Sequence, residues 1–165
     1  MSSFNRRHFL SLAAAGPLLA ACGFEPVYGT RGHASGLLNQ VVLDAPTDSN
    51  TYILVRELED RLGRVPRGRY GMTVSVAVTE RSAGRTITGV TSRYDVIGDA
   101  TYALRDLATG EVVTSGKVQN YTGYSATGTT VATLAAQTDS HERLMVMLTD
   151  QIMVALWAWS AKAAS

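Results

Sequence analysis

From Val41 onward, hydrophobic and polar positions follow two alternating rhythms. Val41-Val42-Leu43 is a short apolar strand closed by Asp44-Ala45-Pro46. Leu54, Leu58 and Leu62, with Val55 beside them, recur at helical spacing, while Arg56, Glu57, Glu59 and Asp60 fall opposite. This predicts a helix with Asp48 or Ser49 as N-cap and with Gly63 and Pro66 as its stop. Met72, Val74, Val76 and Val78 alternate with Thr73, Ser75 and Thr79, the pattern of a half-buried strand. A polar connection is expected over 80–91. Tyr94, Val96, Ala100, Tyr102 and Leu104 mark a long strand with a bend expected at Gly98. The run 106–111 turns the chain, and a return strand over 112–121 has Val113, Val118 and Tyr121 as its apolar members. Leu134, His141, Met145, Leu148, Ile152, Leu156 and Trp159, with Thr138 in phase, then form one buried stripe of a long helix. Val146, Met147, Met153, Val154 and Trp157 widen it toward the C-terminus. The order β-α-β-β-β-α predicts an α+β fold. It is a two-layer sandwich in which a four-stranded, mostly antiparallel sheet carries two helices packed on one face.

The first 36 residues keep neither rhythm. Arg6-Arg7 precede an Ala- and Leu-rich run, 9–21, which is shorter than the ~20 residues a helix needs to span a bilayer. A basic start and a short apolar stretch are the marks of a secretory signal, to be set apart from the fold. The run ends in Leu19-Ala20-Ala21-Cys22, which resembles the lipobox of bacterial lipoproteins and holds the one cysteine of the chain. On that reading residues 1–21 are a signal peptide. Cys22 then carries a diacylglyceryl thioether and an N-acyl chain such as palmitate, enough acyl methylenes to hold a protein firmly on a membrane. An ordinary cleavage site beside a chance cysteine is the plainer alternative. Asn5-Arg6-Arg7-His8-Phe9-Leu10 also resembles the twin-arginine export motif, and two arginines supplying only charge fit equally well. Either route delivers the chain outside the cytoplasm. Residues 22–36, with four glycines and Pro26, read as a tether, leaving 37–165 as a single domain.

Composition narrows the function classes. Of 15 Lys and Arg, Arg6 and Arg7 go with the signal, leaving 13 against 14 acidic residues, a net charge of −1. That balance gives no global electrostatic case for nucleic acid. With Cys22 acylated no disulfide can form, so burial must hold the domain. The stretch Gly123-Tyr124-Ser125-Ala126-Thr127-Gly128-Thr129-Thr130 has nearly the spacing of a phosphate-binding loop, but Thr129 stands where that motif needs lysine. His33 and His141 are too few and too far apart in sequence for a usual metal set, and no nucleophile elbow is present. The expectation is no enzyme, no metal and no cofactor other than the covalent lipid. Two basic groups remain: Arg61, Arg64, Arg67 and Arg69 after the first helix, and Arg81 and Arg85 after the second strand, with Arg93 beginning the next. Guanidinium groups gathered at one end of a sheet can grip phosphates, and solvated loop charges would look the same in sequence.

These parts resemble a family. The start Cys22-Gly23-Phe24-Glu25-Pro26-Val27-Tyr28-Gly29, the element order and the segment 91–113, TSRYDVIGDATYALRDLATGEVV, are similar to LptE, the lipopolysaccharide-assembly lipoproteins, in their alphaproteobacterial form. The resemblance implies an outer-membrane lipoprotein on the periplasmic side, anchored in the inner leaflet. It implies a partner, the LptD β-barrel, which the lipoprotein plugs and helps to assemble while lipopolysaccharide passes to the outer leaflet. It further implies that a basic residue between the second and third strands meets lipopolysaccharide, for which Arg85 and the neighbouring Arg81 are the matching positions. A lysine that family members can carry after the fourth strand has no counterpart, since 120–140 contains neither Lys nor Arg. The alternative class is a lipid-anchored binding or scaffold module of another envelope transport or assembly machine.

Overall fold

The computed structural model describes residues 36–163; the signal peptide, Cys22 and the tether up to residue 35 lie outside the described residues. Six elements follow in the expected order: β1 (Val41–Leu43), α1 (Ser49–Leu62), β2 (Tyr70–Arg85), β3 (Thr91–Asp106), β4 (Val112–Ser125) and α2 (Thr130–Ala163). The strands form one sheet in the order β1-β2-β3-β4. β1 pairs with β2 in parallel, Val41 against Tyr70, and the remaining pairs are antiparallel. The helices pack on one face, α1 over β1 and β2 and α2 over β3 and β4, and they touch each other.

Local chemistry explains the ends of α1. Asp48 is the N-cap: its carboxylate accepts from the Thr51 backbone N–H at 3.0 Å and the Thr51 hydroxyl at 2.6 Å. Gly63 closes the helix at φ 87°, a left-handed value suited to glycine, and its N–H returns to the Glu59 carbonyl at 2.8 Å. Between the caps, Leu54, Leu58 and Leu62 are wholly buried, as their spacing requires.

The core lies between the even-numbered residues of β2 and β3 and the apolar stripe of α2. Met72, Val96, Ala100 and Leu104 meet Leu144, Leu148, Ile152 and Leu156, all fully buried. Gly98 keeps register with Val78 on one side and Asn120 on the other, so no bulge interrupts the strand there. Its role is close approach. A Cβ there would stand 2.9 Å from Leu144 Cδ2 and 3.0 Å from Leu148 Cδ1, so glycine lets α2 settle onto the sheet.

Three further differences from the sequence pattern have physical causes. β2 and β3 run on past Glu80 into a projecting hairpin, so the predicted connection shrinks to 86–90; polar residues pair into a ladder as readily as apolar ones where both faces meet solvent. Tyr121 faces away from the helices and is 71% exposed, in phase with Lys117 and Gln119. The shift between Leu104 and Arg105 inserts Val113 as an extra residue in β4, so Val113 and Tyr121 fall on opposite faces despite their even separation. Leu134 and Thr138 are exposed, since the first turns of α2 precede the stretch that meets the sheet.

Gly98→Val forces branched carbons against Leu144 and Leu148 and is expected to lower stability by about 1–3 kcal/mol, the usual cost of overpacking a filled core. Urea unfolding followed by tryptophan emission measures it; an unchanged midpoint would contradict this account of the helix seat.

Candidate functional site

The hairpin end of the sheet gathers the exposed chemistry. The turn is short and internally fastened. Thr86 N–H donates to the Val90 carbonyl at 2.8 Å, Gly89 N–H to the Thr86 carbonyl at 2.9 Å, and Val90 N–H to the Thr86 hydroxyl at 3.1 Å. Gly89, at φ 82°, takes the left-handed position such loops need. With its backbone satisfied, the turn holds Ile87 out in full exposure, and Val90 is 62% exposed.

The sequence placed Arg81 and Arg85 in a connection. They stand instead on β2, where Arg81 pairs in register with Asp95 and Arg85 with Thr91 beyond two register shifts. Both are exposed, and neither makes an ion pair among the described residues. Four residues of strand separate them by roughly 13 Å or less along the chain. Arg93 adds a third guanidinium, held loosely to Asp95 at 3.8 Å. The arginines of the other basic group are mostly engaged within the fold. Arg61 bonds Asp150, Arg64 bonds Glu59, and Arg69 reaches Asp106 at 3.1 Å while its guanidinium lies 5.0 Å from the centre of the Tyr70 ring. That connection is tied to the sheet and helices, with Arg67 its exposed exception.

On the helix-free face beside the tip, Asp95, Ile97, Gln119, Asn120 and Tyr121 surround a depression of about 330 Å³. Ile97 and Tyr121 are cross-strand partners, and two residues further toward the tip Asp95 stands between Arg81 and Gly123. Arg143 of α2 extends to the Gly123 carbonyl at 3.4 Å, bringing a cation beside β4 although 120–140 contains none. Tyr121, one of the three apolar members expected of this strand, thus lies on its solvent face.

Under the hairpin, where α2 still covers the sheet, a charged residue faces inward. Glu80 accepts from the Tyr124 hydroxyl at 2.8 Å and the Gln137 amide at 2.8 Å, and His141 Nε2 lies 2.8 Å away. His141 Nδ1 is 3.1 Å from Asn50 Oδ1, which links α1 into the network. Tyr124 also stacks on Tyr94 at 5.3 Å between ring centres. Burial pushes the Glu80 carboxyl up, but hydrogen bonds from Gln137, His141 and Tyr124 outweigh it, and the net direction is below the ordinary glutamate value. Burial, and next its bond to Glu80, raise the Tyr124 phenol to about 12. The network anchors the root of the hairpin.

The phosphate-loop lookalike resolves into a helix start. Thr129 caps α2, its hydroxyl accepting from Ala132 N–H at 3.3 Å and its carbonyl from Thr133 N–H at 2.9 Å. Among the described residues no three His, Cys, Asp or Glu side chains gather as a metal set.

The lipopolysaccharide-assembly family LptE matches residues 38–156. The chain belongs to that family. Its members are non-enzymatic lipoproteins of lipopolysaccharide assembly, which makes this chain an envelope lipoprotein of that class. Solved structures share the fold. A lipoprotein from Caulobacter crescentus CB15 superimposes with a TM-score of 0.67 at 23% identity, over 81% of this chain and 98% of that one. The rare lipoprotein B of Shewanella oneidensis gives 0.59 at 11% identity, over 76% and 98%. A minor lipoprotein from Acinetobacter baumannii gives 0.56 at 13% identity, over 73% and 93%. No curated protein matches the chain.

A group whose native pKa is depressed stabilises the fold above its unfolded pKa, and that contribution disappears as pH falls through the native value. Glu80 therefore contributes its full share above about pH 4.5, its ordinary value, and loses it progressively below. Glu80→Gln, which keeps the shape, should be less stable than the parent at pH 7 and should lose less stability between pH 5 and pH 3. Chemical unfolding across that range checks this; parallel acid limbs would remove Glu80 as the titrating anchor.

Proposed function

We propose that the chain is an outer-membrane lipoprotein, acylated on Cys22, that plugs an LptD-type β-barrel and helps it assemble. In this reading it passes lipopolysaccharide toward the outer leaflet, with Arg81 and Arg85 meeting the lipid A phosphates. The observation that carries the ligand assignment is the hairpin tip, where unpaired guanidinium groups share one end of the sheet with Ile87 and Val90. An amphiphilic anion needs that combination: planar bidentate donors for phosphate and apolar contact for the first methylenes of its chains.

The helix-free sheet face supports the plug. Away from Ile97 and Tyr121 its side chains are mostly small or polar and several are bonded to one another, with Ser75 and Thr101 hydroxyls 2.7 Å apart, Gln119 donating to Asp99 at 3.0 Å, and Lys117 joining Asp99 at 2.9 Å. Such a surface suits the polar interior of a large barrel. A lipid anchor in the same membrane would raise the local concentration of plug at the barrel mouth.

A large β-barrel should co-purify with the chain from detergent-solubilised outer membrane. Recovery of the lipoprotein alone would favour a scaffold in another envelope machine. The double charge reversal Arg81→Glu with Arg85→Glu should weaken lipopolysaccharide binding about tenfold or more, since hydrogen bonds to charged groups contribute about 1.5–3 kcal/mol. The deficit should shrink as salt screens the parent protein. Equal affinities at low and high ionic strength would remove these two residues from the site.

A further inference from the structure

The sheet has a second exposed end, opposite the hairpin, where β2 starts, β3 turns into β4 and α2 finishes. Trp159 meets Tyr70 edge-on there, ring centres 5.7 Å apart at 89°. With Leu37, Arg69 and Val113 these rings line a cleft of about 280 Å³. At the same end, Leu107 and Val112, either side of the β3–β4 turn and on its helix-free side, are 48% and 55% exposed. Arg67 and Lys162 are exposed cations with no ion pair among the described residues, against one such acid, Glu111.

This is the chemistry of a water–lipid boundary. Indole rings settle at headgroup depth, and Lys and Arg reach lipid phosphates from the same depth; here the half-buried Trp159 is the ring open to such a layer, with the buried Tyr70 backing it. Chain connectivity supplies the second argument. Gly36 lines the cleft, and 14 residues join it to Cys22, a contour of at most about 50 Å. The hairpin tip is some 50 Å further along β2, so a sheet standing on its tip would draw that contour nearly taut, whereas one standing on the Trp159 end leaves it slack.

The geometry points to the Trp159 end as a docking surface for the interfacial layer of the phospholipid leaflet in which the chain is anchored. This rests on the reading of Cys22 as the lipid-bearing residue. In protein not yet held by a barrel, docking sets the sheet upright, with Arg81 and Arg85 carried away from the anchoring leaflet.

Trp157 and Trp159 are the only tryptophans, so their emission reports this end alone. The acylated mature protein is reconstituted into phosphatidylethanolamine–phosphatidylglycerol vesicles with and without bromine on the acyl chains. Brominated lipid should cut emission about twofold. Trp159→Phe should remove most of that quenching. Leu107→Asp with Val112→Asp, both exposed and tolerable to the fold, should abolish it while the protein still floats with the vesicles. Ile87→Asp at the far tip should change nothing. Flotation reports the anchor and quenching the docking. A chain that fails to float refutes the anchor and the docking together. One that floats with unquenched emission, or whose quenching is lost with Ile87→Asp, overturns the docking alone.

Discussion

The seating of α2 on one face of the sheet is the interaction on which the other features depend. A chain with a single cysteine has no disulfide of its own and relies mainly on burial for cohesion, and here burial is one-sided. Leu144 and Leu148 come down on Gly98, and the residues that follow at three and four positions cover Ala100, Tyr102 and Leu104. Once the helix is that close, its stripe and the inward row of β3 enclose the core between them. The outer row is left to solvent or to a partner, which is why it can be polar without cost to the fold.

The same seating limits how far the fold reaches. Apolar cover ends near Glu80, yet β2 and β3 continue to Arg85 and Thr91. An uncovered two-stranded projection is marginal alone. Glu80, Tyr124, Gln137, His141 and Asn50 fasten it at its root, drawing partners from both helices and two strands. A polar network at this position keeps the hairpin anchored without demanding that its outer end be apolar. The tip is thereby free to carry arginine and isoleucine outward.

What could be read from the sequence follows from this division. The period of three and four in α1 and α2 and the period of two in β2 and β3 came from burial, so the six elements, their order and the single helix-covered face were legible. Legibility failed where burial stopped selecting residues. The strand beyond Glu80 alternates nothing apolar, and Arg81 and Arg85 were read as loop. Leu134 continues the stripe in phase, but no sheet lies beneath it. Tyr121, expected only as an apolar member of its strand, lies on the solvent face, and the extra residue opposite Leu104 and Arg105 leaves no mark in the sequence pattern. The Glu80 network gave no local signal, since its members are up to 91 positions apart and only the fold brings them together.

The arginines show what structure adds to composition. In sequence, Arg61, Arg64 and Arg69 belong to the denser of the two basic groups. In the fold each is already satisfied, by Asp150, Glu59 and Asp106 in turn, and Arg69 also lies against Tyr70. A guanidinium so engaged must give up one partner to take another, whereas Arg81 and Arg85 make no ion pair among the described residues. Density of charge along a chain therefore says less than the availability of each charge. The more crowded cations are spent on the fold itself: Arg61 ties α1 to α2 through Asp150, and Arg69 ties the start of β2 to the end of β3 through Asp106.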